Sequence, residues 1–185
     1  STVAELFRQW GAMIIDADQL VRQLETPGTP VFAAIVRRFG PTVVRSDGSL
    51  DRAALRGEVL QEPAALAELN AIVHPAVHRL RSERLAEARA RGDRIVISDI
   101  PLLFEAADPS GFDLIVLVDA PDSVRRARML ASRDLSQAQV DRLMGSQQPA
   151  GPKRARSHYV IENDGDLQSL EESARTVWQA LLARA

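Results

Sequence analysis

Three short apolar runs, each closing on an aspartate, constrain this chain most: Ala12-Met13-Ile14-Ile15-Asp16, Arg94-Ile95-Val96-Ile97-Ser98-Asp99 and Leu114-Ile115-Val116-Leu117-Val118-Asp119. An apolar run without polar alternation suits a strand covered on both faces, the situation in a parallel sheet. Tyr159-Val160-Ile161 is a weaker fourth run, with Asn163 just after it. Helical patterns separate all four. Strand–helix alternation of this kind predicts an α/β fold, a parallel β-sheet core flanked by helices.

Composition narrows the function. With 23 basic and 25 acidic residues in 185, the formal charge is −2, which excludes a polybasic nucleic-acid binder held by bulk charge. Aromatics make up only 4%, so the core is expected to be aliphatic. The absence of cysteine rules out disulfide scaffolds, thiolate metal sites and cysteine nucleophiles. No apolar run approaches the ~20 residues that span a bilayer, and no basic-then-apolar leader is visible, so a cytoplasmic protein without membrane contact is expected. A monomer or weak homo-oligomer is the expected state. Lys153 is the single lysine among the 23 basic residues.

The runs are unevenly spaced. Residues 2–10 read as a helix on the spacing of Val3, Leu6, Phe7 and Trp10, closed by Gly11. The interval from the first run to the second is far longer than one crossover helix needs. It carries a stripe of Val31, Ile35, Val36 and Phe39, another of Leu66, Leu69, Ile72 and Val73, and a long helix over 76–91. Residues 19–92 therefore read as a helical insertion. Residues 122–156 are charged and poor in large apolar side chains, and contain Gln147-Gln148-Pro149-Ala150-Gly151-Pro152; they read as an exposed helical lid with a flexible tip. Leu167, Leu170, Ala174, Val177, Trp178 and Leu181 share one face of a final helix. The expected division is a core of 1–18, 93–121 and 157–185, the insertion 19–92, and the lid 122–156.

Asp16 and Asp18, Asp99, Asp119 and Asn163 all follow strand candidates. Ligands of open parallel sheets bind beyond the carboxyl ends of the strands. Carboxylates gathered there hold Mg²⁺ or take a proton from a hydroxyl; alternatively each caps the following helix. The arginines of the lid either close on transferring phosphates or form a solvated face. His74 and His78 have the spacing of a metal pair, but with no cysteine and only His158 besides, zinc is not expected.

Beyond these readings, the chain resembles the dephospho-coenzyme A kinase family. The resemblance rests on Ser1-Thr2-Val3-Ala4, Ile14-Ile15-Asp16-Ala17-Asp18, Arg22, Pro27-Gly28, Phe39-Gly40 and Asp47-Gly48-Ser49-Leu50-Asp51-Arg52 with Leu55. It continues through Val73-His74-Pro75, Asp99-Ile100-Pro101-Leu102-Leu103-Phe104-Glu105, Gln147, Lys153 and Tyr159-Val160-Ile161-Glu162-Asn163-Asp164-Gly165. These landmarks fall in the family's order over nearly the whole length.

The resemblance implies a P-loop NTPase-type core, similar to nucleoside and nucleotide kinases, with a helical acceptor-binding insertion and a lid. It implies transfer of the γ-phosphoryl of ATP to the 3′-hydroxyl of the ribose of dephospho-coenzyme A, the last step of coenzyme A biosynthesis, with Mg²⁺. Asp18 then stands as the base toward the acceptor hydroxyl and Arg128 as the arginine contacting the transferring phosphate. Ser1, Thr2, Arg133, Asn163 and Gly165 fall on the ATP side. Arg22, Asp51, Arg52, His74, Pro101 and Leu102 fall on the acceptor side, and Ser1 and Asp99 on Mg²⁺.

Two departures bear on these roles. Of the family's Gly-x-x-x-x-Gly-Lys-Ser-Thr phosphate loop only Ser1-Thr2 is present, so the natural chain is expected to start about ten to fifteen residues earlier, with a strand and the rest of that loop. In the lid, Leu143 stands near a position where the family often has arginine, with Arg142 adjacent. Gly151-Pro152 replaces a commonly charged pair, which leaves the duties of Arg142 and Lys153 open. The competing readings are another P-loop nucleoside or nucleotide kinase and, should the phosphate loop be absent in nature, a non-catalytic acceptor-binding module.

Overall fold

The structure, a computed structural model, describes residues 1–106, 108–132 and 136–185. In chain order the elements are α1 (Thr2–Gln9), β1 (Met13–Asp16), α2 (Ala17–Leu24), α3 (Pro30–Phe39), α4 (Arg52–Gln61), α5 (Pro63–Arg91), β2 (Val96–Asp99) and α6 (Leu103–Ala106). They continue as β3 (Val116–Asp119), α7 (Asp122–Ser132), α8 (Gln137–Gly145), α9 (Ala150–Ala155), β4 (Tyr159–Glu162) and α10 (Leu167–Leu182). All four expected strands are present and pair in parallel, β1 with β2 and β3 with β4. The chain divides into two compact units, one of Met13–Asp99 and one of Ser1–Ala12 with Ile100–Ala185.

Within Met13–Asp99, Val31, Ile35, Val43, Leu50, Leu55, Val59, Ala65, Val73 and Ala76 form one aliphatic cluster. The α3 stripe supplies Val31 and Ile35 to it. The second stripe is shifted from its expected position: Leu66 is exposed and Ala65 is buried instead. Ala65, Leu69, Ile72, Val73 and Ala76 keep the 3.6-residue period, so a stripe that includes Ala65 cannot also include its neighbour on the next face. The helix expected over 76–91 begins earlier, because α5 runs unbroken for 29 residues through Pro75. Proline removes one backbone donor, but its φ is helical, and the burial of Val73 and Ala76 on either side holds the helix together. Gly92 ends α5 in the left-handed region at φ 79°, donating its N–H to Ala88 and Arg89 carbonyls.

In the other unit, α1 packs on α10 through Val3, Phe7, Ala174, Val177 and Trp178. The rings of Phe7 and Trp178 lie 5.6 Å apart, and Arg175 stacks 4.5 Å over Trp10. Leu167 departs from its stripe: it opens α10 at the first helical position and is exposed. The segment 147–152, expected as a flexible tip, is tied down. The Gln148 N–H donates to Glu105 Oε1 and the Gln148 side-chain amide to the Phe104 carbonyl, both at 2.9 Å, and Ala150 starts a helix.

Candidate active site

Each parallel pair ends in two acidic residues that face each other in register, Asp16 opposite Asp99 and Asp119 opposite Glu162. Parallel strands place their carboxyl ends on one side, so the sequence's habit of closing apolar runs on an acid collects charge at that rim. The two pairs solve the resulting repulsion differently.

In Met13–Asp99, β1 passes directly into α2. Asp16 is the N-cap, its carboxylate accepting the Gln19 N–H at 3.0 Å. Of the two readings of these aspartates, Asp16 therefore takes the capping one. Asp18 sits two residues on, in the first turn of α2, where the helix N-terminus favours an anion. It is exposed, and its carboxylate has no hydrogen bond or ion pair among the described residues. Arg22 lies one turn further along α2 from Asp18. It borders a cleft of about 410 Å³ lined also by Asp16, Gln19, Gln23 and Arg84.

The remaining residues of this unit that the resemblance implies on the acceptor side are partly engaged. Asp51 caps α4, accepting the Ala53 and Ala54 N–H groups, each at 3.0 Å. The Ala54 N–H outweighs burial and holds the Asp51 carboxyl below its ordinary value. Arg52 donates at 2.7 Å to Glu25, which is buried. His74 is exposed on α5.

In the second unit, Ser1 caps α1 by accepting the Ala4 N–H at 3.3 Å, and Thr2 is exposed at its first turn. Pro101 and Leu102 form the exposed turn before α6. Arg128 reaches from α7 to the turn after β4, donating to the Asn163 carbonyl at 2.7 Å, the Asn163 side-chain oxygen at 2.9 Å and the Gly165 carbonyl at 3.0 Å. It thus contacts two residues, Asn163 and Gly165, that the resemblance implies at the nucleotide. Arg133 lies outside the described residues. Of the other arginines in 122–156, Arg126 pairs with Asp141, and Arg125 bonds Gln147 at 3.0 Å. His158 is structural, its Nδ1 accepting the Ile115 N–H at 3.0 Å.

Two features escaped the sequence reading. Arg154 of α9 bridges the β3–β4 carboxylates, bonding Asp119 at 2.9 Å and Glu162 at 3.1 Å. The hydrogen bond from Arg154 holds Glu162 below its ordinary pKa, and Glu162 and Asp119 in turn raise that of Arg154. Secondly, Lys153 is buried, its Nζ 2.6 Å from Glu105 Oε1. Burial pushes the Glu105 carboxyl up, but hydrogen bonds from Lys153 and the Gln148 N–H, with the lysine charge, leave it below its ordinary value. The one signal for this pair was the solitary lysine in a chain that otherwise uses arginine.

Among the described residues no cluster of three or more acidic or histidine side chains could cage a metal. Mg²⁺ carried with a nucleotide takes one or two protein oxygens and completes its shell with phosphates and water. Ser1 and Asp99, which the resemblance implies at the metal, carry a hydroxyl and a carboxylate, both hard oxygen donors. No helix among the described residues is long and apolar enough to cross a membrane.

The model of one protein family, dephospho-CoA kinase, matches residues 1–169. The chain belongs to the dephospho-CoA kinase family. A curated relative, the dephospho-CoA kinase of Corynebacterium glutamicum, is 37% identical over 96% of this chain and 91% of its own length. Among solved structures, TT1252 from Thermus thermophilus superposes with a TM-score of 0.80 at 36% identity, covering 97% of this chain and 90% of that one. Dephospho-CoA kinase from Campylobacter jejuni reaches a TM-score of 0.72 at 18% identity over the same shares, a likeness of fold. The family is one of ATP-dependent kinases, and the fold is its α/β, P-loop NTPase-type arrangement with parallel strands.

Proposed function

We propose that this protein transfers the γ-phosphoryl group of ATP to the ribose 3′-hydroxyl of dephospho-coenzyme A, yielding coenzyme A and ADP. The observation that carries the proposal is the family match over residues 1–169, nearly the whole chain. In this reading 1–18, 93–121 and 157–185 form the nucleotide core, 19–92 the acceptor-binding insertion and 122–156 the lid.

Asp18 is the general base. Asp18 is exposed while its neighbour Asp16 takes the cap, which leaves the Asp18 carboxylate open to an acceptor hydroxyl. As the 3′-oxygen bonds to the γ-phosphorus, its proton passes to Asp18 and the bond to the β-phosphate oxygen breaks, releasing ADP. Arg22, Asp51, Arg52, His74, Pro101 and Leu102 bind and orient the acceptor. Ser1, Thr2, Asn163 and Gly165 hold the nucleotide, with Arg128 on the same side, and Arg133 is assigned there from the sequence alone. Ser1 and Asp99 would hold Mg²⁺, which when bound neutralises charge on the phosphates.

The test is to offer the full-length protein ATP with dephospho-coenzyme A, nucleosides or nucleoside monophosphates in turn. Coenzyme A and ADP should form with the first acceptor alone. Phosphorylation of a nucleoside or nucleotide in preference, or acceptor binding with no turnover, would refute the proposal.

A further inference from the structure

Arg128 commits its guanidinium to a turn. Among the described residues it donates to the Asn163 carbonyl, the Asn163 side-chain oxygen and the Gly165 carbonyl. The turn is fixed from its other sides too. The Asn163 N–H donates to the Asp119 carbonyl at 2.7 Å, and Asp166 caps α10 through the Ser169 N–H at 2.8 Å. Gly165 packs so closely on α10 that an added Cβ would lie 3.2 Å from that of Ser169. Arg128 thus ties this turn to α7, the first helix of the lid. With Asn163 Oδ1 engaged, the amide offers its NH₂ group as a donor to a ligand.

We infer that Arg128 is a positioning residue for nucleotide binding: it holds the Asn163–Gly165 turn in the shape that receives the base, and does so before the transferring phosphate is engaged. The inference rests on the proposed kinase reading, which puts ATP at that turn. A planar fork satisfies three acceptors at once, whereas an ammonium is a point charge and cannot span them. Lysine at 128 therefore separates the two possible duties: it keeps the charge a phosphate needs and loses the geometry the turn needs.

The experiment is calorimetric titration of ADP into full-length wild type, Arg128→Ala and Arg128→Lys, with steady-state kinetics on the same proteins. Losing charge-assisted hydrogen bonds to the turn should weaken ADP binding in both variants about 10–100-fold. KM for ATP should rise in step, while kcat at saturating ATP changes much less. Wild-type ADP affinity in Arg128→Lys, or a kcat loss of about 100-fold or more with ADP binding retained, would overturn the inference and put Arg128 on the transferring phosphate. Should Arg128→Ala not fold, the lysine variant decides alone. A wild type that binds ADP but does not phosphorylate dephospho-coenzyme A defeats the proposed reaction, and the ADP affinities still judge Arg128.

Discussion

Replacing Lys153 with methionine probes the buried pair. The Lys153 and Glu105 side chains retain only 11% and 15% of their exposure and meet at 2.6 Å. Methionine preserves the stem of the side chain and deletes the charge, stranding the Glu105 carboxylate. Removing one partner of a buried pair costs about 3–5 kcal/mol, because the remaining charge has neither water nor counter-ion. Residual access to water places this site near the lower end, about 3 kcal/mol, or a fall in Tm of about 6–12 °C for a chain of this size.

Urea unfolding measures it as a drop in midpoint with unchanged m. The double variant Lys153→Met/Glu105→Leu should recover most of the loss, keeping about 1 kcal/mol for the acceptor withdrawn from the Gln148 N–H. The pH dependence follows from sign. Glu105 lies below its ordinary value in the folded wild type, so the stability it contributes is present above about 4.5 and is lost as pH falls through its folded pKa. Without Lys153, burial raises that pKa, and the penalty of the single variant should shrink as the solution is acidified. A single variant within 0.5 kcal/mol of wild type, roughly the size of a surface substitution, or a double variant as damaged as the sum of the two singles, would refute the reasoning.

Three further outcomes are expected. Asp18→Asn should cut turnover about 10²–10⁴-fold with ADP affinity unchanged, and a variant that turns over normally removes Asp18 from the role of base. Arg154→Ala should raise the Glu162 pKa toward its ordinary value, followed by carboxyl NMR, since the Arg154 hydrogen bond is the main cause holding it down; an unmoved titration would show that the clamp does not form. Ile35→Ala, at a fully buried site of the aliphatic cluster, should cost about 3–5 kcal/mol in urea unfolding, and a loss under 1 kcal/mol would mean the cluster repacks around the cavity.

The strands and the class of fold were written in the sequence. An apolar run with no alternation can be buried only on both faces, and an aspartate at its end marks the rim where ligands gather. The α3 stripe and the α10 face were legible for the same reason, since helical periodicity repeats what packing demands. What the sequence could not order were choices among equivalent residues. Ala65 rather than Leu66 faces the cluster, and Asp16 rather than Asp18 takes the cap, because a shift of one or two positions along a helix changes its neighbours and leaves its composition alone. Pairings across long loops were likewise invisible. Arg154 reaching Asp119 and Glu162, Lys153 meeting Glu105, and Arg128 gripping the turn after β4 join residues brought within hydrogen-bond range only when the chain packs. Charge and periodicity are properties of a segment, whereas the partner of a guanidinium is a property of the space around it.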